Sequence, residues 1–410
     1  MPEPAQNLQP ATPADFQWIT GEQARDLLAQ LSKQHGQKLS LAVMLQLRKE
    51  VGATRAGLLV EQHELRPRGK SKFKAADQMF FTKIGLEQST DEQIAQYKAK
   101  RFVESGIQTS DHVADCCCGI GGDTAALSQH SQVTAVDLSE QHLFYAAANC
   151  QAAGRSSIKT HCERAETIDL QNFAAWHIDP DRRVDGRRTT QLEHYSPTLA
   201  DLEQMLQTND NAAIKLAPAA SVPDAWQQRA ELQWISRDRE CKQLVAWFGK
   251  LALQPGQRKA TKIDREGTPH SFTGQLGKRA NTSADQVGQF VYEPDPAILA
   301  AELTDAIAVE FNLKRLMPRS VYLTADHPVK SPLLSMFHLI ECLPMDVKKI
   351  RKTLLQLEIG QLEIKKRGVD ILPEAFRKKL KLKTELPGQA VLILTPTPEG
   401  NRAILCQRVT

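Results

Sequence analysis

The stretch from His112 to Asp137, HVADCCCGIGGDTAALSQHSQVTAVD, constrains this chain more than any other. A short apolar run ends in Asp115. A glycine turn follows at Gly119, Gly121 and Gly122, and a helical stretch then leads to a second apolar run ending in Asp137. Strand, glycine loop, helix, strand and closing acid make a nucleotide-binding βαβ unit. The glycines permit a tight turn and a close approach of backbone to ligand. An acid closing the second strand can accept hydrogen bonds from both ribose hydroxyls. Asp137 lies 15 residues after Gly122, which suits one helix and one strand.

The spacing G-x-G-G departs from the dinucleotide fingerprint G-x-G-x-x-G. An acid just ahead of the glycines, here Asp115, suits an S-adenosylmethionine domain, where it orients the loop or meets the methionine amine. S-adenosylmethionine is the expected cofactor, with NAD or FAD and a nucleotide-free glycine turn as the alternatives, and Asp115, Gly119, Gly121, Gly122 and Asp137 are the candidate contacts. The end of the third strand, HCERAET, offers Glu163 or Glu166 to the adenine.

Apolar runs at 112–117, 132–137, 157–162, 174–179 and 212–217 alternate with helical stretches, the pattern of a doubly wound α/β sheet. Two late runs, 231–236 and 243–249, suit an antiparallel hairpin closing that sheet, and the polar stretch 254–288 suits an edge hairpin and linker. Residues 1–100 read as a helical module, with Ser89 or Thr90 capping its last helix and disorder expected over the Pro-, Ala- and Gln-rich residues 1–15. Residues 101–290 form the α/β domain. Residues 291–410 read as a small α+β domain, with strands at 319–326, 390–397 and 404–409 and helices at 347–359 and 373–383.

No apolar run approaches the ~18 residues of a membrane span. The first residues lack the basic and apolar regions of a signal peptide, so a cytoplasmic location and no membrane partner are expected. Eight cysteines include the triplet Cys116–Cys118 but no C-x-x-C pair. Successive strand residues point to opposite faces, so the triplet is expected to pack beside the glycine loop rather than bind a metal.

The fourth strand ends WHIDPDRR, which places Asp179, Pro180, Arg182 and Arg183 at the carboxyl edge where open α/β sheets bind ligands. A carboxylate there can accept a hydrogen bond from a target group or act as its base. Proline holds the chain extended, and arginines, with Arg187 and Arg188 following, suit phosphate anchoring. The alternative is a surface loop whose arginines pair with neighbouring acids. Lys215, ending the fifth strand, either touches substrate or is a buried, paired lysine. Net charge is only +4, but its distribution is uneven. RPRGKSKFK, Arg66 to Lys74, holds five basic residues and no acid, and Met345 to Glu385 holds twelve Lys or Arg against six Asp or Glu. Such clustering favours a phosphate backbone as partner, against the alternative of a solvated helix face.

DCCCGIGGDT and AVDLS resemble motif I and the acidic loop of class I S-adenosylmethionine-dependent methyltransferases. HIDPDRR resembles the motif IV of a bacterial group carrying a C-terminal THUMP-like domain, and YEPDPAILAA, LTADHPVKSPLLSMF and LEIKKRGVDILPEAFRKKLKLK resemble that domain. The resemblance implies a Rossmann-like enzyme domain with a helical N-terminal module, cofactor contacts at Asp115, Gly119, Gly121 and Asp137, and a catalytic loop at Asp179–Arg183. It also implies RNA, rRNA or tRNA, as substrate, contacted through Lys365, Lys366, Arg367 and their neighbours. The loop departs from the D/N-P-P-Y/F motif of amino methyltransferases, with Asp181 for the second proline and Arg182 for the aromatic. Two other readings stay open: a non-catalytic RNA-binding or ribosome-associated protein retaining a cofactor pocket, and a small-molecule or protein methyltransferase.

Overall fold

The structure, a computed structural model, describes residues 10–409 except 37, 156–157, 185–186, 276–282 and 319. The chain divides into two compact units, Met1–Glu231 with Val245–Pro255, and Leu232–Leu244 with Gly256–Thr410.

The first unit opens with helices α1 (Pro13–Thr20), α2 (Glu22–Gln34), α3 (Leu41–Val51), α4 (Ala53–Gly69), α5 (Lys83–Gln88) and α6 (Glu92–Glu104). Helix α1 begins inside the segment expected to be disordered, of which residues 1–9 lie outside the described part. Pro13 presets its first turn, Asp15 accepts from the Thr12 N–H at 3.1 Å, and Phe16 and Ile19 are buried in the module's core. Helix α6 is capped not by Ser89 or Thr90 but by Asp91, which accepts from the Gln93 N–H at 3.0 Å. Thr90 instead turns inward.

The sheet of this unit consists of β1 (His112–Cys116), β2 (Gln132–Asp137), β3 (Lys159–Cys162), β4 (Ala175–Ile178) and β7 (Ala212–Leu216). Between β4 and β7 lies a two-strand excursion, β5 (Arg183–Val184) with β6 (Arg187–Arg188). Connecting helices are α7 (Gly122–Leu127), α8 (Glu140–Ala152) and α9 (Leu199–Thr208), and α10 (Asp224–Arg229) follows β7. Strand order is β7-β4-β1-β2-β3, all parallel. Order reverses between β1 and β4, so the crevice of the unit opens beyond their carboxyl ends. Only Cys116 of the cysteine triplet is in the strand, because Cys117 turns to φ 53°.

In the second unit β8 (Glu231–Arg237) and β9 (Glu240–Trp247) form a hairpin. Asp238 and Arg239 make its two-residue turn with φ 52° and 62°, the twist such tight hairpins require. The last residues of β9, from Val245, belong to the first unit, where the Phe248 N–H donates to the Ala212 carbonyl at 2.8 Å. Strands β10 (Arg258–Ile263) and β11 (Pro269–Gly274) are the expected edge hairpin, with β10 parallel to β8. Then follow β12 (Phe290–Pro294), α11 (Pro296–Ala300), α12 (Thr304–Glu310), β13 (Lys314–Arg315), β14 (Leu323–Ala325), β15 (Leu334–Pro344), α13 (Val347–Gln356), β16 (Ile359–Lys366), α14 (Pro373–Leu380), β17 (Gly388–Thr397) and β18 (Gly400–Val409). Their sheet runs β13-β14-β12-β15-β18-β17-β16. Strands β12, β13, β15 and β16 were not expected. The helix expected over 347–359 stops at Gln356, Glu358 swings to φ 53°, and the chain continues as β16. Helices α13 and α14 cover one sheet face through Ile350, Leu354, Phe376 and Leu380 packed on Leu362, Leu392 and Leu405.

Two buried amides hold the Phe80–Phe81 segment, one from the N-terminal helices and one from α8. Gln62 of α4 accepts from the Phe81 N–H and donates to its carbonyl, both at 2.8 Å. Asn149 of α8 does the same for Phe80, at 2.7 and 2.9 Å, and donates to the Ile120 carbonyl in the glycine loop at 2.8 Å. Asn149→Ala would leave these buried backbone groups unmet, so it is expected to cost about 2–4 kcal/mol. A urea unfolding midpoint equal to that of the parent protein would contradict this.

Candidate functional site

At the sheet's carboxyl edge the glycine loop closes on the end of β2. Gly119 has φ 52°, and its N–H donates to Asp137 Oδ2 at 2.9 Å. Among the described residues, a side chain at Gly119 would meet no atom within 4 Å, which leaves the loop's outer side open. Gly121 has φ 81°, and a Cβ there would stand 2.8 Å from Ala146 Cα, so α8 packing admits only glycine. Gly122 lies against the Thr90 carbonyl. Asp137 also accepts from the Ser139 N–H at 2.9 Å and meets His142 Nδ1 at 3.2 Å. Burial pushes its carboxyl up, but these bonds outweigh burial and hold it below the usual carboxylate range. Leu138, next along, is 64% exposed despite being apolar, a feature not anticipated from the sequence. Glu163, just past β3, accepts from the Thr167 hydroxyl at 3.0 Å and lies 3.3 Å from His161 Nδ1. An acid, an exposed apolar side chain and an open backbone turn together could hold a nucleoside.

Beneath the loop lies a charged network. Parallel register sets Asp115 of β1 opposite His177 of β4, on the same face. His177 Nδ1 is 2.7 Å from Asp115 Oδ1, and the Thr124 hydroxyl donates to Oδ2 at 2.5 Å. On its other side His177 Nε2 meets Lys98 Nζ of α6 at 3.0 Å. Lysine can only donate, so Nε2 accepts and Nδ1 carries the hydrogen given to Asp115. Lys98 pairs at 2.7 Å with Asp123 of α7, which also takes the Thr90 hydroxyl at 2.6 Å. Side-chain exposure is 1% for Asp115 and His177 and 2% for Lys98. Burial pushes the Asp123 carboxyl up, yet the Lys98 ammonium beside it holds it well below the carboxylate range. Both Asp115 carboxylate oxygens are thus engaged, one with His177 of β4 and one with Thr124 of α7. Of this network only Asp115 was expected from the sequence.

The loop after β4 is joined to the same edge. The Asp179 N–H donates to the Cys116 carbonyl at 3.3 Å, and Pro180 is buried. Asp179 Oδ2 lies 2.5 Å from Lys215 Nζ, so the lysine of β7 is paired, with Asp179 as partner. Lys215 also reaches the Gln88 carbonyl at 3.4 Å, and Gln88 Nε2 donates to Asp181 Oδ1 at 3.3 Å, bringing the end of α5 into the site. Asp181 and Ser196 exchange backbone hydrogen bonds at 2.9 and 2.8 Å. Arg182 and Arg183 follow, half-buried, Arg182 bonded to the Tyr195 hydroxyl. The expectation for Arg187 and Arg188 concerns side chains outside the described part. Burial pushes the Cys116, Cys117 and Cys118 thiols up, away from the nucleophilic thiolate form.

The basic clusters divide into internal and exposed members. In RPRGKSKFK, Arg66 Nε donates to the Met79 carbonyl at 2.9 Å while its guanidinium stacks over Phe80. Lys72 Nζ caps the end of α5 by donating to the Leu86, Glu87 and Ser89 carbonyls at 2.7, 3.1 and 2.8 Å. Those two hold the fold and offer nothing to a phosphate. Lys365, expected on RNA, is bound at 2.6 Å to Glu293 and lies over the Phe337 ring. Lys366 and Arg367 are exposed, as are Lys348, Lys349, Arg351 and Lys352 on α13 and Lys378 and Lys379 on α14.

Residues 113–179 match the Methyltransferase domain family, and residues 334–408 match the THUMP domain-like family. Proteins from two strains of Mycobacterium tuberculosis, named uncharacterized S-adenosylmethionine-dependent methyltransferases, are 28% identical over 349 residues, covering 82% of this chain and 92% of theirs. A crystal structure from Porphyromonas gingivalis W83, whose protein carries a provisional methyltransferase assignment, superposes with TM-score 0.77 at 20% identity. It covers 95% of this chain and 99% of that one. Fold and domain matches together define a Rossmann-like class I enzyme with a C-terminal THUMP-like domain. The chain is an S-adenosylmethionine-dependent methyltransferase.

Lys98→Met would strand the Asp123 charge in the interior and is expected to cost about 3–5 kcal/mol at pH 7. The Asp123 carboxyl titrates lower folded than unfolded, so its stabilisation is present above the unfolded value of ~3.9 and lost as pH falls through the folded one. Urea unfolding curves of parent and variant should therefore converge on acidification below about pH 4, and a gap independent of pH would refute the pairing.

Proposed function

We propose that this methyltransferase acts on RNA. The observation that carries this reading is the cationic face of the THUMP-like domain. Helices α13 and α14 lie side by side on one sheet face, and their outer surfaces present Lys348, Lys349, Arg351, Lys352, Lys378 and Lys379 against one acid, Glu374. Such a surface follows a phosphate backbone through charge rather than sequence.

Bound S-adenosylmethionine supplies an electrophilic methyl carbon. Asp137, already ionised and oriented by three partners, accepts from the ribose hydroxyls. Leu138 offers its exposed apolar surface to the adenine, with Glu163 at the neighbouring strand end. The open side of Gly119 lets the backbone approach the methionine portion, while Gly121 and Gly122 let α7 and α8 pack behind it. Asp179 meets the target group at the β4 edge, and Arg182 and Arg183 anchor the phosphates next to it. The enzyme's main contribution is to hold the two reactants in line with water excluded.

The cofactor half is tested by calorimetry with S-adenosylhomocysteine, where Asp137→Ala should weaken binding by about 1–3 kcal/mol. For the RNA half, fluorescence anisotropy with tRNA and rRNA fragments should show affinity falling steeply with salt. Reversing Lys348, Lys349, Arg351 and Lys352 to Glu should make the log–log slope shallower by roughly 0.7–0.9 for each phosphate that is no longer neutralised. Binding that ignores salt, or a slope untouched by the fourfold reversal, would return these helices to the role of a solvated face.

A further inference from the structure

We propose that the atom methylated is the 2′-hydroxyl oxygen of a ribose. This rests on the RNA reading above and is carried by the ion pair at the strand edge. Asp179 and Lys215 come from neighbouring strands, β4 and β7, and meet at 2.5 Å. Their side chains are 31% and 13% exposed, so the pair faces the crevice and not the core. Any nucleophile that bonds to the Asp179 carboxylate enters the field of the Lys215 ammonium.

The sign of that field separates the possible targets. A base amine becomes positive as its lone pair attacks, and an adjacent ammonium raises that barrier. A hydroxyl oxygen gains negative charge as its proton leaves, and the same ammonium lowers that barrier. In the transfer, the hydroxyl proton passes to the Asp179 carboxylate and an oxygen lone pair forms the new O–CH3 bond. The methyl–sulfur bond breaks with its electron pair left on sulfur. Carboxylate, sulfonium and alcohol thus become carboxylic acid, thioether and methyl ether, with charge balanced.

The following residues agree with this target. Position 182 holds arginine where a flipped base would need an aromatic ring to stack on. A 2′-hydroxyl has its own 3′-phosphate beside it, a group whose charge suits Arg182 and Arg183, three and four residues after Asp179.

The test incubates the full chain with tritiated S-adenosylmethionine and total RNA from a strain lacking the gene, then hydrolyses the RNA in alkali. A 2′-O-methyl group blocks strand cleavage at its own position. Label in alkali-resistant dinucleotides is the expected result. Asp179→Asn and Lys215→Met should each lower single-turnover rates by about 10²-fold or more. Lys215→Arg should recover part of the rate, and S-adenosylhomocysteine affinity by calorimetry should stay within twofold in all three, which also reports an intact site. Label in methylated bases released as mononucleotides would overturn the ribose assignment and leave the RNA reading standing. No label in RNA would overturn both. Lys215→Met at the parent rate would remove the ammonium from the mechanism and overturn the proposal.

Discussion

The ground beneath the candidate site is organised by a buried lysine. Lys98 reaches from α6 into the base of the α/β sheet, where it meets Asp123 and, through His177, Asp115. Each of these groups would be prohibitive to bury alone, since an unpaired ion or polar group in the interior goes without the hydration it loses. Together they satisfy one another, and the arrangement is possible only with α6, α7, β1 and β4 in their places. The network therefore acts less as a source of net stability than as a specification of geometry. A buried ion pair is often no better than apolar packing in free energy, but it is intolerant of misplacement.

The same helix carries a second buried cation less than one turn on. Arg101 pairs with Glu231, donates to the Leu251 carbonyl at 2.9 Å and lies over the Trp247 ring. The N-terminal helices are thus not an appendage. Helix α6 holds Asp123 of α7 and His177 of β4 with Lys98, while Lys72, Gln62 and Asn149 hold the segments at 80–89. Gln88, fixed there, then reaches both Lys215 and Asp181. The geometry of the β4 edge is tied in this way to a residue 93 positions before Asp181 and 127 before Lys215.

Legibility in the sequence followed the physical origin of each feature. The strands and helices of the βαβ core were readable because burial on both faces leaves uninterrupted apolar runs, and because glycines with positive φ are nearly obligatory at Gly119 and Gly121. Asp137 and Asp179 were readable from position alone, each closing an apolar run. Strand β16 was not, because its sequence IGQLEIKK follows a helix without a turn signal, and only the backbone reversal at Glu358 separates the two. The Lys98 network was invisible for a different reason. A lysine on an amphipathic helix looks solvated, and nothing local tells that Asp123, 25 positions on, will lie 2.7 Å away. The N-cap was misplaced for a related reason: Thr90 has the right chemistry for a cap, but a tertiary acceptor, Asp123, claims its hydroxyl.

Charge counting carries the same lesson with more consequence for function. Lys365 and Lys366 are adjacent in sequence and equal in formal charge, yet alternation along β16 turns Lys365 to Glu293 and leaves Lys366 in solvent. A strand halves the cations it can offer to a partner, whereas a helix resting on a sheet presents a continuous outer face. The +6 of the segment from Met345 to Glu385 is therefore concentrated on α13 and α14, where Ile350, Leu354, Phe376 and Leu380 hold the inner faces down. Replacing these apolar residues would disturb this cationic surface without touching a single charge, because the surface exists only while both helices lie on the same sheet.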